Sequence, residues 1–160
     1  MKLLAFETAT EACSVALWID GQVLERFELA PRRHAELSLP WAGELLAEAG
    51  IAKSQLDGIA VGRGPGAFTG VRLAIALAQG IALALDRPVV PVSTLAALAA
   101  SVQPTGSLAG SVGGESGTCG VLAAIDARMG EVYSAAFRVG DGWVVEALGE
   151  ETVSAPGCVL

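Results

Sequence analysis

The opening of the chain alternates short apolar runs with turn residues, and this pattern predicts three strands. The runs are KLLAF, CSVALWI and QVLERFEL, the last with partial alternation of apolar and polar positions. Asp20 and Gly21 separate the second run from the third, and both residue types tolerate the positive φ of a tight hairpin. We therefore expect the chain to begin with a three-stranded meander.

Helical spacing follows the meander. In HAELSLPWAGELLAEAG the apolar positions recur every three or four residues, which predicts a helix that ends near Gly50. Pro40 lies inside this pattern, so we expect a kink or a late start of the helix. The run LDGIAVG then predicts a buried strand. The side of the helix that is predicted to face the core carries Ala35, Leu39, Ala42, Leu46 and Ala49.

The segment 61–85, VGRGPGAFTGVRLAIALAQGIALAL, joins a glycine-rich turn to a helix that is apolar on nearly all sides. Only Arg72 and Gln79 form a polar stripe. Such a helix is buried on two sides, so we expect one side to cover a sheet and the other to meet a partner, with the preceding helix as the alternative partner. A short strand, RPVVPVS, and a short helix capped by Ser93 or Thr94 come next. The two apolar sides carry Val71, Ile75, Ala78, Ala82 and Leu85, and Leu73, Leu77, Gly80 and Ala84.

A stretch rich in Gly, Ser and Thr, QPTGSLAGSVGGESGTCG, interrupts the pattern and predicts a flexible connector. Three strand-like runs follow it, and their order repeats the start of the chain. In each copy an apolar strand ends in an acid, Glu7 or Asp126, before a turn, a second strand and an Asp-Gly pair, which in the second copy is Asp141–Gly142. The repetition favours a duplicated unit. The predicted domains are 1–103, a connector at 104–119, and an incomplete second copy at 120–160.

The composition predicts a soluble, cytoplasmic protein. The chain has 160 residues, of which 52% are hydrophobic, so it can bury a sizeable core. The net charge of -7 disfavours nucleic-acid binding through a broad surface, and the basic triplet at 32–34 is interpreted as a solvated turn. Three cysteines without a CxxC pair fit a reducing compartment better than a disulfide scaffold or a zinc site. The longest apolar run, Leu73 to Leu85, is shorter than the about 20 residues that cross a bilayer.

The glycine turn has two interpretations. Gly62, Gly64 and Ala67 have the G-x-G-x-x-[G/A] spacing of a dinucleotide site between a strand and a helix. However, Pro65 lacks one amide donor of such a cradle, and the next strand does not end in the acid that this motif requires. The sequence therefore favours the second interpretation, a structural turn that needs glycine for positive φ and close packing. The turn residues are Gly62, Gly64, Pro65 and Gly66.

Side chains suited to catalysis are sparse. His34 is the single histidine, so any histidine-based catalytic or metal site would have to use it. Ser38 stands where an H-x-x-x-H metal motif would place its second histidine. Glu7 and Asp126 end strands and are candidates for a hydrated Mg²⁺ ion, with simple solvation as the alternative.

Five segments together resemble the TsaB (YeaZ) family: ETATEACSVALW, RRHAE, GRGPGAFTGVRLAIALAQGIALAL, VSTLAALA and AAIDARMGEVY. The resemblance covers residues 1 to about 148. It implies an α/β fold of the actin-like ATPase (ribonuclease H-like) type, a duplicated βββαβαβα domain whose second copy is incomplete here. It also implies a role in forming threonylcarbamoyladenosine next to the anticodon of tRNAs that read codons starting with A. In this family the chain is a non-catalytic subunit, and its partners are the catalytic paralogue TsaD and the ATPase TsaE.

Departures from the catalytic paralogue agree with that role. His34 matches the first histidine of the metal site of TsaD, whereas Ser38 replaces the second, and no motif supports the older glycoprotease label. Glu7, Thr8 and Asp126 are interpreted as the remnant of a nucleotide and Mg²⁺ site. The resemblance implies that this chain alone binds no cofactor, with ATP and Mg²⁺ left to the complex. The alternative function is a stand-alone actin-like nucleotide-binding enzyme or ATPase.

The resemblance also implies a partner surface. The two N-terminal helices of the family pack against the matching pair of TsaD, and the same surface forms a homodimer when TsaD is absent. Contact with tRNA is expected only through the complex, and none with a membrane. The residues predicted at this interface are Leu37, Trp41, Val71, Ile75, Ala78, Ala82 and Leu85.

Overall fold

The computed structural model describes residues 1–102, 118–140 and 144–159, which belong to two compact units, Met1–Val92 and Ser93–Leu160. The predicted connector, apart from residues 118 and 119, lies outside the described residues, as does the predicted Asp141–Gly142 turn. Each unit is described separately.

The first unit is a five-stranded sheet with two helices. The strand order is β3-β2-β1-β4-β5, in which β1, β2 and β3 are antiparallel and β4 and β5 run parallel to β1. The predicted meander is thus confirmed, and its hairpin turn has positive φ at both Asp20 and Gly21. The elements are β1 (Lys2–Glu7), β2 (Ala12–Ile19), β3 (Gln22–Leu29), α1 (His34–Glu48), a 3-10 turn (Lys53–Gln55), β4 (Gly58–Gly62), α2 (Phe68–Leu85) and β5 (Val89–Val92).

The core of this unit lies between one face of the sheet and both helices. Side chains alternate along a strand, so every second residue of β1, β2 and β4 faces the helices. α1 packs on β2 and β3, whereas α2 packs on β4, β1 and β5. Full burial of a Leu or Phe side chain contributes about 1.5–3 kcal/mol, so this layer supplies much of the stability. The buried strand residues are Leu4, Phe6, Val15, Leu17, Ile59 and Val61.

α1 buries Ala42 and Leu46 as predicted, and Ala49 packs against the core, but the rest of the predicted core face is exposed. Ala35 and Leu39 are exposed, although the spacing placed them on the core face. The helix also begins at His34 and continues through Pro40, so the predicted late start is wrong. Apolar residues occur on more than one side of α1, and packing against β2 and β3 selects the side that is buried. The buried residues are Ser38, Ala42, Leu45 and Leu46.

α2 buries one narrow stripe of small residues. Gly70, Ala74, Ala78 and Ala82 face the sheet, and their size lets the helix approach the strands closely. The prediction that one side of α2 covers a sheet is confirmed. The side opposite this stripe is exposed in the described part of the chain, so the preceding helix does not cover it, and contact of this side with a partner stays a prediction.

α2 also has the length and composition of a membrane-spanning helix, with 18 residues and a mean hydropathy of 1.7. It is the one helix of this kind in the described ranges. The sheet that it covers ends in the edge strand β3, and hydrocarbon cannot satisfy the backbone groups of an open edge. The packing therefore argues against a membrane span.

The second unit is a small sheet covered by one helix. Its elements are α3 (Thr94–Ala100), β6 (Cys119–Arg128), β7 (Glu131–Val139), β8 (Val145–Ala147), β9 (Thr152–Ser154) and a 3-10 turn (Pro156–Cys158). The Ser93 hydroxyl accepts a hydrogen bond from the Ala96 amide, which confirms the predicted cap. The antiparallel hairpin of β6 and β7 matches that of β1 and β2, in agreement with the predicted duplication. α3 packs on β6, β7 and β8, so it belongs to this unit rather than to the predicted domain at 1–103.

Candidate functional site

An exposed, largely apolar surface runs along both helices of the first unit. We call it the outer helix face and define it by the exposed residues Ala35, Leu39, Gly43 and Ala47 of α1 and Phe68, Arg72, Ala76, Gln79, Gly80 and Leu83 of α2. The side chain of Leu83 is 86% exposed, that of Phe68 73% and that of Leu39 51%. The Arg72 guanidinium lies 3.3 Å from the centroid of the Phe68 ring, a cation–π contact at the start of α2.

None of the seven predicted interface residues is among the exposed residues that define this surface. Ala78 and Ala82 are buried in the core of their own unit, so the folded chain cannot present them to a partner. Ile75 and Leu85 are half-buried and also pack against that core. Val71 is half-buried beside the glycine turn.

Leu37 and Trp41 lie on the opposite flank of α1. Glu44 and Glu48, on the same flank, pair with Arg26 of β3, at N–O distances of 3.6 and 2.6 Å. This flank therefore faces β3, whereas α2 lies on the other side of α1. Trp41 is half-buried against the core and does not join the outer helix face.

Sequence reasoning missed Leu39, Phe68 and Leu83 because an apolar helix gives no periodicity that separates its sides. A usable signal was present: Arg72 and Gln79, the polar residues of α2 beyond its first turn, mark the side that faces away from the sheet.

The glycine turn is a packed structural turn, as the sequence favoured. Gly64 has φ +90°, a conformation that glycine adopts without strain. A Cβ atom at Gly62 would lie closer than 3.0 Å to the Glu7 carboxylate, and one at Gly66 closer than 3.0 Å to the carbonyl oxygen of Ala9. The end of β1 and the residues just after it therefore pack directly against the glycine turn.

The side chains predicted as a nucleotide and Mg²⁺ remnant make local hydrogen bonds. Glu7 Oε1 accepts the Ala9 amide at 2.7 Å, and the buried Thr8 hydroxyl donates to the Gly70 carbonyl at 2.7 Å. Asp126 lies in the second unit, where Oδ1 accepts the Arg128 amide at 2.7 Å in the β6–β7 turn. Each therefore stabilises a turn. Within the described ranges, no three His, Cys, Asp or Glu side chains cluster closely enough to hold a metal ion.

His34 and Ser38 are used for structure. His34 Nε2 lies 3.1 Å from the Thr10 carbonyl and 3.2 Å from that of Ala12. Two acceptors at this nitrogen assign the proton to Nε2, which leaves it no lone pair for a metal. The Ser38 hydroxyl donates to the His34 carbonyl at 2.7 Å and lies 3.7 Å from the Cys13 sulfur.

The Cys13 thiol is buried between β2 and α1. Burial raises the pKa of this thiol, the hydrogen bond with Ser38 acts in the opposite direction, and the Glu28 carboxylate adds to the rise. Since the thiolate is the reactive form, Cys13 is a structural thiol.

Comparisons with known proteins agree with this architecture. The family model "TsaD: tRNA N6-adenosine threonylcarbamoyltransferase" matches residues 27–158. The tRNA threonylcarbamoyladenosine biosynthesis protein TsaB of Escherichia coli (strain K12) is 45% identical over 152 residues, which are 95% of this chain and 61% of that protein. TsaB of Haemophilus influenzae is 45% identical over 133 residues, 83% of this chain and 52% of that protein. This chain thus spans between half and about three fifths of the length of these relatives.

A solved structure, YeaZ from Pseudomonas aeruginosa, superposes with a TM-score of 0.84 at 46% sequence identity. The superposed region covers 97% of this chain and 68% of the YeaZ chain. The match confirms the actin-like α/β fold predicted from the sequence. Since a family model covers most of the chain and a close structural relative shares nearly half of its residues, the chain belongs to the TsaB (YeaZ) family, within the wider TsaD family.

Proposed function

We propose that the chain is a non-catalytic subunit of threonylcarbamoyladenosine formation, which pairs with TsaD and works with TsaE on tRNAs that read codons starting with A. The names of the E. coli and H. influenzae relatives support the process. The pairing role rests on one observation, the exposed apolar surface of α1 and α2. The chain acts in the cytoplasm and meets tRNA only within the complex.

The outer helix face has the character of an interface. Exposed apolar surface on packed helices often marks a contact surface, and Phe68 and Leu83 are exposed at the two ends of α2. A specific interface buries roughly 800 Å² on each partner. Two helices of 15 and 18 residues provide the length for such an area.

The fold supports TsaD as the partner. The family model named for TsaD matches this chain over residues 27–158, so a TsaD protein carries the equivalents of α1 and α2. Two related chains can therefore meet through the same pair of helices, as in an isologous contact. For the same reason two copies of this chain form a homodimer when TsaD is absent.

The hydrogen bonds of the candidate catalytic groups support an accessory role. His34 Nε2 is bonded to backbone carbonyls, and Glu7 and Thr8 are bonded to the backbone around the glycine turn. We therefore propose that this chain alone binds no nucleotide or metal, and that ATP and Mg²⁺ enter through the complex. At the level of residues, the proposed interface consists of the outer helix face, with Val71, Ile75 and Leu85 at its margin.

Light scattering during size-exclusion chromatography tests the proposal. The molar mass is measured for this chain alone and for its mixture with TsaD of the same organism. We expect a one-to-one complex that Leu83→Glu abolishes without a change in circular dichroism. Leu29→Glu is the matched control, because Leu29 is 70% exposed but lies on the edge strand β3. A complex that survives Leu83→Glu would overturn the proposed surface. Binding of Mg·ATP by the isolated chain that Glu7→Ala removes would favour the stand-alone nucleotide-binding alternative.

A further inference from the structure

Three glycines spaced four residues apart each pack against one of three consecutive residues, namely the last residue of β1 and the two that follow it. A Cβ at Gly62 would overlap the Glu7 carboxylate, one at Gly66 would overlap Ala9, and one at Gly70 would overlap the carbonyl oxygen of Thr8. In each case the contact is closer than 3.0 Å, a separation that real Cβ atoms essentially never show. The 7–9 segment therefore lies directly against the glycine turn and the first turn of α2.

Hydrogen bonds fasten the same segment. The Ala67 amide, at the N-cap of α2, donates to the Ala9 carbonyl at 2.6 Å. The Thr8 hydroxyl donates to the Gly70 carbonyl at 2.7 Å, and Thr8 is fully buried. One bond lies just before the first turn of α2 and the other within it, so the start of the helix is held at two points about one turn, or about 5.4 Å, apart.

These contacts do not fit the phosphate site that the G-x-G-x-x-[G/A] spacing of this turn offered as an alternative. A phosphate at a helix N-terminus needs free amide groups and open space in front of them. Here the Ala67 amide is bonded to Ala9, Pro65 has no amide hydrogen, and the Glu7 carboxylate lies against Gly62. The main-chain carbonyl of Ala9 takes the place that an anion would take.

We propose that residues Glu7–Ala9 act as an internal ligand of the glycine turn, which fixes the start and tilt of α2 and so orients the outer helix face for pairing. Thr8 and Gly70 are positioning residues in this arrangement, since neither belongs to the outer helix face. We call the contacts of Glu7–Ala9 with Gly62, Gly66, Ala67 and Gly70 the lock. The inference rests on the proposed function, because α2, which the lock positions, is one of the two helices proposed to pair with TsaD. A small tilt at Gly70 displaces Leu83, nearly four turns further along, by a larger amount.

Two variants test the lock. Thr8→Val keeps the shape of the side chain and removes the bond to the Gly70 carbonyl, and Gly70→Ala forces α2 away from Thr8. Ile59→Val is the control, because it removes one buried methylene group from the same core and touches neither the turn nor the outer helix face. The affinity for TsaD is measured by calorimetry at a temperature at which all variants are folded, and each thermal midpoint is recorded.

We expect Thr8→Val and Gly70→Ala to weaken TsaD binding by about tenfold or more. Ile59→Val should bind like the wild-type chain, even if its thermal midpoint is as low as that of the other two variants. Wild-type affinity in Thr8→Val, or an equal loss in Ile59→Val, would overturn the lock. If Leu83→Glu loses pairing and Thr8→Val does not, the proposed function stands and the lock fails.

A wild-type chain that does not bind TsaD would instead overturn the proposed function. The lock is then judged by the orientation of α2 against the sheet, from residual dipolar couplings of Thr8→Val, or of Gly70→Ala where that variant folds. A change in tilt supports it, and an unchanged tilt refutes it.

Discussion

Replacing Gly80 by alanine should stabilise the isolated chain and weaken its pairing. Gly80 lies in the interior of α2, where glycine costs about 0.5–1 kcal/mol relative to alanine because it loses more backbone freedom on folding. A Cβ atom built at Gly80 has no heavy atom within 4 Å, so the folded chain accepts the methyl group without a clash. The full helix-propensity difference should therefore appear as a gain in the free energy of unfolding.

The size of the gain follows from the size of the unit. The first unit has 92 residues, Met1–Val92. In a domain of this length 1 kcal/mol shifts the thermal midpoint by about 4–8 °C, so Gly80→Ala should raise it by about 2–8 °C. Gly43→Ala in α1 should act in the same way, because Gly43 is also exposed and has open space around it.

Gly50→Ala is the control of opposite sign. Gly50 also has no heavy atom within 4 Å of a built Cβ, but its φ is +65° at the end of α1. Alanine is strained at this φ by roughly 1–2 kcal/mol, so Gly50→Ala should lower the thermal midpoint. Comparing Gly80→Ala with Gly50→Ala separates the effect of helix propensity from that of backbone strain, because neither added Cβ atom meets a neighbouring heavy atom.

Calorimetry on the isolated chain and titration with TsaD form the assay. Gly80 belongs to the outer helix face, so the added methyl group projects into the proposed contact and should weaken binding although the chain is more stable. A thermal midpoint that falls in Gly80→Ala would refute the stability argument. Binding to TsaD that is unchanged or tighter would refute close approach of the partner to α2 at this position.

Three further predictions concern the core, the thiol and the second unit. Ala78→Glu places a carboxylate in the core and should unfold the chain rather than block pairing selectively, and a native circular dichroism spectrum with a wild-type thermal midpoint would contradict this. Burial raises the pKa of the Cys13 thiol above its ordinary value of 9.0, so its contribution to stability is complete below pH 9.0 and is lost as the pH rises through the folded-state pKa. Urea denaturation of the wild-type chain and Cys13→Ala over this range should differ in slope against pH, and equal slopes would refute the assignment. Met129 is 99% exposed and has φ +54° in the β6–β7 turn, so Met129→Asn should stabilise the second unit by about 0.5–1 kcal/mol, and a lower midpoint of that unit would contradict the turn geometry.

Much of the first unit was predictable because its signals are local. The Asp20–Gly21 hairpin follows from two residues that accept positive φ, and the observed φ values are +48° and +95°. In the second unit the cap of α3, predicted as Ser93 or Thr94, likewise depends on one side chain, and the structure shows that it is Ser93. The positive φ and the close packing predicted for the glycine turn are observed at Gly64 and Gly66.

The candidate site was predicted less well, because it depends on which side of each helix meets the sheet. α2 is apolar on nearly all sides, so its apolar periodicity does not distinguish Ala78, which is buried, from Leu83, which is exposed, and only the polar stripe of Arg72 and Gln79 separates the two. In α1 the same ambiguity placed Leu39 in the core and left Trp41 at the interface. The sheet resolves both cases, because the pleat of β1, β2 and β4 presents apolar side chains at fixed positions and only one stripe of each helix fits against them.

The sequence by itself determined the family, the order of strands and helices in the first unit, and the sparse supply of catalytic groups, because these depend on residue identity and short-range pattern. Only the tertiary structure assigned α3 to the second unit and brought Thr8 against Gly70, 62 residues apart in the chain. Contacts of that separation leave no periodicity in the sequence. They arise when β1 and β4 pair in parallel and bring the turn after each strand to the same edge of the sheet.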